Sequence, residues 1–340
     1  MRHLVLVLAD LYCASGDARS ERQPDAIGSV AMPAFDELLR FATLHPNRIA
    51  WREWLRRVLD IAPQSPASIA AHACGAHATD GADAWLATPL SLEPRLDHVR
   101  VRDGGLLTLT EAEQTALVAD FTQLFGPQLK LSIASARELL LHGLVARDVS
   151  TTDPARLQGA DIRAHIPIGR DAALLRALAS EIELWLHSHA INRHRRNRGA
   201  LEISALWLWG GTADPRASSA AAVLAAPLGL KATASTLVAT DAYSRGCAVS
   251  AGLSVISMAN LEALDSAIVV LWPMSDGAAG GLAQVEAQWI APANAALRAG
   301  RIDGLTVLVN DRLYTLRRRD HWRFWRRRSH WLDRLRTDPS

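Results

Sequence analysis

Hydrophobic and polar positions alternate in two rhythms along this 340-residue chain. Near the start, residues 4–8 form an unbroken apolar run with two valines, the pattern of a strand buried on both faces of a parallel sheet. A polar loop follows over 12–29. Met32-Pro33 then opens a helix, with Pro33 suited to its first turn and Phe35, Leu38, Leu39 and Phe41 on its apolar side. Helical spacing returns over 48–59 in Trp51, Trp54, Leu55 and Val58. Pro63 and Pro66 interrupt it, ahead of a short helix over 68–73 and a loop over 75–81.

The middle of the chain loses this regularity. Strand-like pieces run from 85 to 107, with a turn expected at Asp103-Gly104-Gly105. Thr110 and Glu113 make a capping box for a helix reaching about Leu124. A strand over 129–133, a short helix over 136–141 and loops with strand fragments over 145–168 precede a long amphipathic helix over 171–187. From 200 onward, strands at 206–209, 235–239, 253–257, 267–272 and 305–309 alternate with helices at about 241–251 and 283–297. The expected class is α/β, a mostly parallel sheet with helices on both faces. Residues 1–95 and 200–340 would form this core, and 96–199 an inserted α+β segment.

Residues 185–212, WLHSHAINRHRRNRGALEISALWLWGGT, hold the sharpest change of character. A basic turn feeds the apolar ALWLW and stops on Gly210 and Gly211, where a strand end opening into a glycine loop could admit a ligand. An ordinary loop-to-strand connection is the other reading.

Composition narrows the classes. At 49% hydrophobic and 21% charged residues the chain is globular, and a net charge of +2 gives no global pull toward nucleic acid or membrane. Only Lys130 and Lys231 are lysines, so a single arginine is weak evidence of a site. Cys13, Cys74 and Cys247 are odd in number and follow no metal pattern, reading as free thiols in a reducing compartment. The first apolar run is too short for a leader, and no apolar stretch reaches the roughly 20 residues of a membrane span. The cytoplasm is the expected location.

Candidate chemistry lies at strand ends and in the basic turn. Asp10, Asp276 and Asp311 each follow an expected buried strand, and gathered at one sheet edge they would suit a divalent metal. Aspartate after a strand is equally a plain loop residue. Asn192, Arg195 and Arg245 are candidate substrate-binding residues, since arginine grips phosphate or carboxylate bidentately. Solvated surface arginines are the bland alternative. His187 and His189 sit at a helix end, where positive charge is favoured without a metal. The tail RRRDHWRFWRRRSHW, residues 317–331, reads as a basic segment packing Trp322, Trp325 and Trp331 on the body, with nucleic-acid binding the rival if Trp322 and Trp325 are exposed.

HSHAINRHRRNRG followed by ISALWLWGG resembles a segment of archaeal-type, cofactor-independent phosphoglycerate mutases. LWLWGG is similar to the RpfE-type regulatory proteins related to them, as are MPAFDELLRFA, WLATPLSLEP, DAYSRGCAVSAGLSVI and the tryptophan-arginine tail. The resemblance implies an alkaline-phosphatase-like core. Active members of that superfamily hold two divalent metals with Asp and His ligands and carry the phosphoryl group on a Ser or Thr. Asp10, Asp276 and Asp311 match ligand aspartates, but Gly280 and Arg312 stand where histidines belong, and a further ligand is missing near Trp289. Ser65 and Ser68 lie in the nucleophile's region without its motif. Ala190, Ser204 and Trp209 replace a proline, an asparagine and an arginine of the mutase pattern.

The resemblance therefore implies a phosphoglycerate-mutase-like regulatory protein with a degenerate site, a pseudoenzyme binding a phosphorylated or anionic small molecule. Three carboxylates without histidines would hold at most one Mg²⁺ or Mn²⁺. The alternative is an active metal-dependent mutase or phosphatase with a rearranged site. A membrane is not expected as a partner, nucleic acid is disfavoured, and the protein partner is left open.

Overall fold

The computed structural model describes residues 2–9, 11, 30–46, 48–75, 83–157, 160–212, 236–257, 266–273, 278–309, 311–323 and 325–336. Two compact units form. One comprises Met1–Ile61, Arg216–Ala239 and Ala251–Ser340, and the other Ala62–Pro215 with Thr240–Ser250.

The first unit is an α/β layer built on a seven-stranded sheet. Its strands are β1 (His3–Leu8), β2 (Thr43–Leu44), β8 (Thr236–Val238), β9 (Ser254–Ile256), β10 (Ala267–Leu271), β11 (Gly304–Val309) and β12 (Arg312–Arg317). They lie in the order β2-β12-β11-β1-β10-β8-β9. β11, β1, β10, β8 and β9 are mutually parallel, while β12 and β2 close one side antiparallel. β1 sits centrally, which is why its run from Leu4 to Leu8 carries no polar residue and is wholly buried. Leu8 pairs with both Leu271 and Val309, so the carboxyl ends of β1, β10 and β11 share one edge.

Helical stretches of this unit complete its core. Helix α1 (Pro33–Phe41) buries Phe35, Leu38, Leu39 and Phe41, and α2 (Trp51–Val58) buries Trp51, Trp54, Leu55 and Val58. The helix expected over 283–297 is longer and interrupted. It runs as α8 (Ala278–Val285), a π-turn at Glu286–Ile290 and α9 (Ala291–Arg298). Glu286 accepts the Ala34 N–H at 2.5 Å and Asn294 donates to the Ala34 carbonyl at 2.8 Å, so this region clasps the start of α1. Leu282, Val285, Ile290, Ala293 and Leu297 pack into the same core as β1.

The second unit is organised by a five-stranded antiparallel sheet: β3 (Ala84–Pro94), β4 (Val99–Leu106), β5 (Lys130–Ser135), β6 (Glu138–His142) and β7 (Ala205–Trp209). β3 is its hub, pairing with β6 and β7 along its first half and with β4 along its second. Its helices are α3 (Pro66–His72), α4 (Glu111–Phe125), α5 (Ala172–Ser188), α6 (Ala190–Asn197) and α7 (Ala242–Ala251). The Thr110–Glu113 capping box is present at the start of α4.

Three expectations are corrected here. The strand ALWLW is antiparallel to β3, not a member of the parallel sheet, because its buried face joins Leu86 and Leu140 on the second unit's core. Residues 136–141, expected as a helix, turn at Ala136-Arg137 and form β6, since Leu139, Leu140 and Leu141 fill the gap between β3 and β5. Gly104 and Gly105 lie within β4 and mark its irregular pairing with β3 between Leu90 and Leu92, while the turn falls at 95–98. The second unit's sheet takes in β3, which pairs with β6 and β7. Among the described residues no helix is long and apolar enough to cross a membrane.

Candidate functional site

The substrate-binding candidates belong to the second unit, and two of them are committed to its architecture. Asn192 is buried on α6; its Nδ2 donates to the Leu186 and Ile203 carbonyls, each at 2.9 Å, and its Oδ1 accepts the Ile203 N–H at 2.8 Å. Both amide donors are therefore used in joining the end of α5 to the segment that becomes β7. Arg195 is buried one turn further on. Its Nε donates to the Leu201 carbonyl at 2.6 Å and a guanidinium nitrogen meets Glu113 Oε1 at 2.9 Å. Arg198 reaches the same oxygen at 2.6 Å from the solvent side.

Glu113 was legible only as a capping residue, yet it is the anion that Arg195 holds. Burial alone would raise its pKa. The Thr110 N–H and the two arginines outweigh that and hold its carboxyl below the usual carboxylate range. Expected ligand contacts at Asn192 and Arg195 are thus filled by the protein itself.

The glycine loop after β7 is also packed. Gly210 has φ +70° and its carbonyl accepts the Ala67 N–H at 2.9 Å. A side chain at Gly211 would place its Cβ 2.4 Å from the Trp85 ring. Glycine is needed there for close approach of Trp85, in place of the ligand opening its position suggested. Trp85, Trp207 and Trp209 spend their indole N–H groups on the Leu144 and Thr152 carbonyls and the Thr88 hydroxyl.

Arg245 has a different environment. It lies half-buried in the first turns of α7, and among the described residues no carboxylate is paired with its guanidinium. Asp241, fully buried, accepts the Ser244 N–H at 2.8 Å, and Glu138 accepts the Ala242 N–H at 3.1 Å, so α7 starts against two carboxylates. Its backbone approaches α3 closely: a Cβ at Gly246 would lie 1.8 Å from the Ile69 carbonyl oxygen. The Arg245 charge reaches Cys74 just past the end of α3. Cys74 is exposed at its surface, and the partial burial of its thiol pushes it up, with Arg245 opposing and Glu138 adding to the rise. The Ser244 hydroxyl is buried with no hydrogen-bond partner among the described residues.

The metal candidates belong to the first unit. Asp311 lies at the carboxyl end of β11, its Oδ2 3.3 Å from an Arg48 guanidinium nitrogen, and its carbonyl accepts the Ile49 N–H at 2.9 Å. Arg312, the next residue, is buried. Asp10 and Asp276 lie outside the described residues. Among the described residues no group of three or more His, Cys, Asp or Glu side chains is arranged to hold a metal ion. Of the aromatic tail, Trp331 is fully buried, whereas Trp322 and Trp325 are 78% and 68% exposed, so the expected packing holds for Trp331 alone.

Comparison with known proteins places relatives beside this geometry. No family model matches the chain. It is 35% identical to the 2,3-bisphosphoglycerate-independent phosphoglycerate mutase of Methanothrix thermoacetophila over 66 residues, 19% of this chain and 17% of that protein. It is 32% identical to a probable enzyme of the same name from Geobacter sulfurreducens over 110 residues, 32% of this chain and 26% of that protein. The alignment thus spans under a third of either relative. Two solved structures are similar at 14% identity. A cofactor-independent phosphoglycerate mutase from Thermoplasma acidophilum has a TM-score of 0.37, covering 93% of this chain and 89% of its own. The PH0037 protein from Pyrococcus horikoshii has a TM-score of 0.44, covering 93% and 87%. The relatives found by sequence are phosphoglycerate mutases of the cofactor-independent type.

Proposed function

We propose that this chain is a phosphoglycerate-mutase-like protein of the RpfE type with an alkaline-phosphatase-like core, which binds a phosphorylated or anionic small molecule and does not turn it over. On this reading it is a cytoplasmic regulatory pseudoenzyme. The observation that carries the reading is the charge balance at the carboxyl end of β11. Asp311 is paired with Arg48, and the buried Arg312 follows it where the resemblance calls for a histidine ligand.

Among the described residues no donor set is arranged for a two-metal centre. Two ions neutralise charge on the attacking and leaving oxygens of a phosphoryl transfer, and each needs several oxygen or nitrogen donors. Among the described residues the Asp311 carboxylate is paired with the Arg48 guanidinium, which supplies N–H donors and no lone pair. On this reading the Arg48 cation competes with a dication for the Asp311 carboxylate. Arg245 is the residue assigned to the anion, because its half-buried guanidinium can meet two oxygens of a phosphate or carboxylate at once.

Calorimetric titration with 3-phosphoglycerate, inorganic phosphate and Mn²⁺ tests the proposal. Expected is saturable binding of one of the two anions, weakened at least tenfold by Arg245→Ala while the melting curve is retained, with no tight binding of Mn²⁺. Tight Mn²⁺ binding abolished by Asp311→Ala would overturn it in favour of an active mutase or phosphatase with a rearranged site.

A further inference from the structure

Between Arg317 and His330, seven of fourteen positions are arginine and none is aliphatic. The backbone here is pinned at many points. Arg318–Trp322 forms a short 3₁₀ turn, and the Arg323 and Arg326 N–H groups bond to the Asp320 and Arg323 carbonyls, each at 3.1 Å. Arg323 meets Asp320 at 2.9 Å and the Thr43 hydroxyl at 2.8 Å, while Arg326 donates to the Ala42 carbonyl at 2.5 Å. Arg40 returns a bond to the Arg326 carbonyl at 2.6 Å. Beyond the segment, Trp331 is buried against Phe35, with its N–H on Asp36 at 2.6 Å.

On this anchored turn Trp322 and Trp325 stand 78% and 68% exposed. Burying either would gain about 2 kcal/mol, so large apolar faces left outside and rimmed by charge mark a contact surface. Three positions apart, their Cα atoms lie no more than about 10 Å from each other even with the chain between them extended. Arg318, Arg319, Arg327 and Arg328 are exposed around them.

We propose that this turn is a binding platform for single-stranded nucleic acid, Trp322 and Trp325 stacking on bases and Arg318, Arg319, Arg327 and Arg328 meeting phosphates. Flat aromatic faces interleaved with guanidinium groups fit a polymer that alternates π-faces with negative charge. A membrane surface fits less well, because an interfacial segment brings aliphatic side chains with its aromatics and none occurs here. A duplex groove is entered by a helix or a two-stranded ribbon, and the described residues of this segment form neither, holding only the 3₁₀ turn Arg318–Trp322. The proposal involves neither Asp311 nor Arg245, so its test stands apart from that of the anion site.

Fluorescence anisotropy of a labelled twelve-nucleotide oligothymidylate, titrated with the full-length protein at several KCl concentrations, provides the test. Expected is binding whose logarithm falls with the logarithm of salt, at about −0.7 per phosphate contact for a single strand. Trp322→Ala/Trp325→Ala should weaken binding about tenfold or more at every salt concentration with the slope unchanged. Replacing the four exposed arginines by alanine should flatten the slope. Absence of binding at low salt would overturn the proposal. So would equal affinity for inorganic polyphosphate with no effect of the tryptophans, or tryptophan-dependent binding to phosphatidylserine vesicles without binding to the oligonucleotide.

Discussion

Glu113 shows how much one side chain can hold in this molecule. It closes the capping box of α4 and receives Arg195 from α6 and Arg198 from the following turn. Glu113→Gln keeps a capping side chain but leaves Arg195 buried without its anion, which costs about 3 kcal/mol. Arg198 is half-exposed, and Arg198→Ala should cost below about 1 kcal/mol. Urea denaturation of the two variants checks the contrast; equal losses would mean that Arg195 is not held by Glu113. The sign with pH follows from the depressed carboxyl. Its stabilisation is complete above the unfolded value of about 4.3 and is lost as pH falls through the lower folded value. Glu113→Gln should therefore remove part of the acid sensitivity of the wild type.

Gly211 is a second test at this scale. A methyl group there meets the Trp85 ring at 2.4 Å, so Gly211→Ala forces a backbone or ring shift costing about 1–3 kcal/mol. A wild-type melting temperature in that variant would show that Trp85 is not packed on the loop. Residue-level reading from sequence assigned Asn192 and Arg195 to a ligand and the two glycines to a ligand opening, whereas their contacts in the structure are with the protein. What a side chain faces depends on partners such as Glu113 and Ile203, up to 82 residues away, and no local pattern names those partners.

At the scale of elements, local signals succeeded where the element carries its own boundary. The capping box at Thr110 and Glu113 marked the start of α4, and the apolar runs of β1, β10 and β11 marked buried parallel strands. They failed where packing decides. Glu138–His142 is rich in helix formers, yet the space between β3 and β5 makes it a strand. ALWLW is identical as a pattern in a parallel or an antiparallel sheet, so its partner β3 was not readable.

The junction of α5 and α6 offers an element-scale prediction. His189 Nδ1 accepts the Ile191 N–H at 3.1 Å as the N-cap of α6, which leaves the proton on Nε2, 3.0 Å from Asp120. Burial lowers its pKa, and Asp120 only partly offsets this. The neutral form is thus the folded one. Its stability contribution is present above the unfolded value of about 6.5 and is lost as pH falls below it through the folded value. Asparagine caps equally well and does not titrate. His189→Asn should consequently show a smaller stability difference between pH 7.5 and 5.5 than the wild type in urea denaturation, and an unchanged difference would rule out this role.

For the whole molecule, the sequence indicated an α/β class with a mostly parallel sheet, and that sheet is present in the first unit. The pairing of β3 with β6 and β7 was not legible, since strand patterns name no partner. Of the metal candidates, Asp311 is engaged by Arg48, a cation contributed from 263 residues earlier in the chain. The proposed function rests on that ion pair. Turnover of 3-phosphoglycerate by purified protein in Mn²⁺, Mg²⁺ or Zn²⁺, with Asp311→Ala beside the wild type, tests it most directly. The account predicts no metal-dependent turnover above the protein-free rate in either protein. Turnover that requires the metal and disappears in a folded Asp311→Ala variant would contradict it.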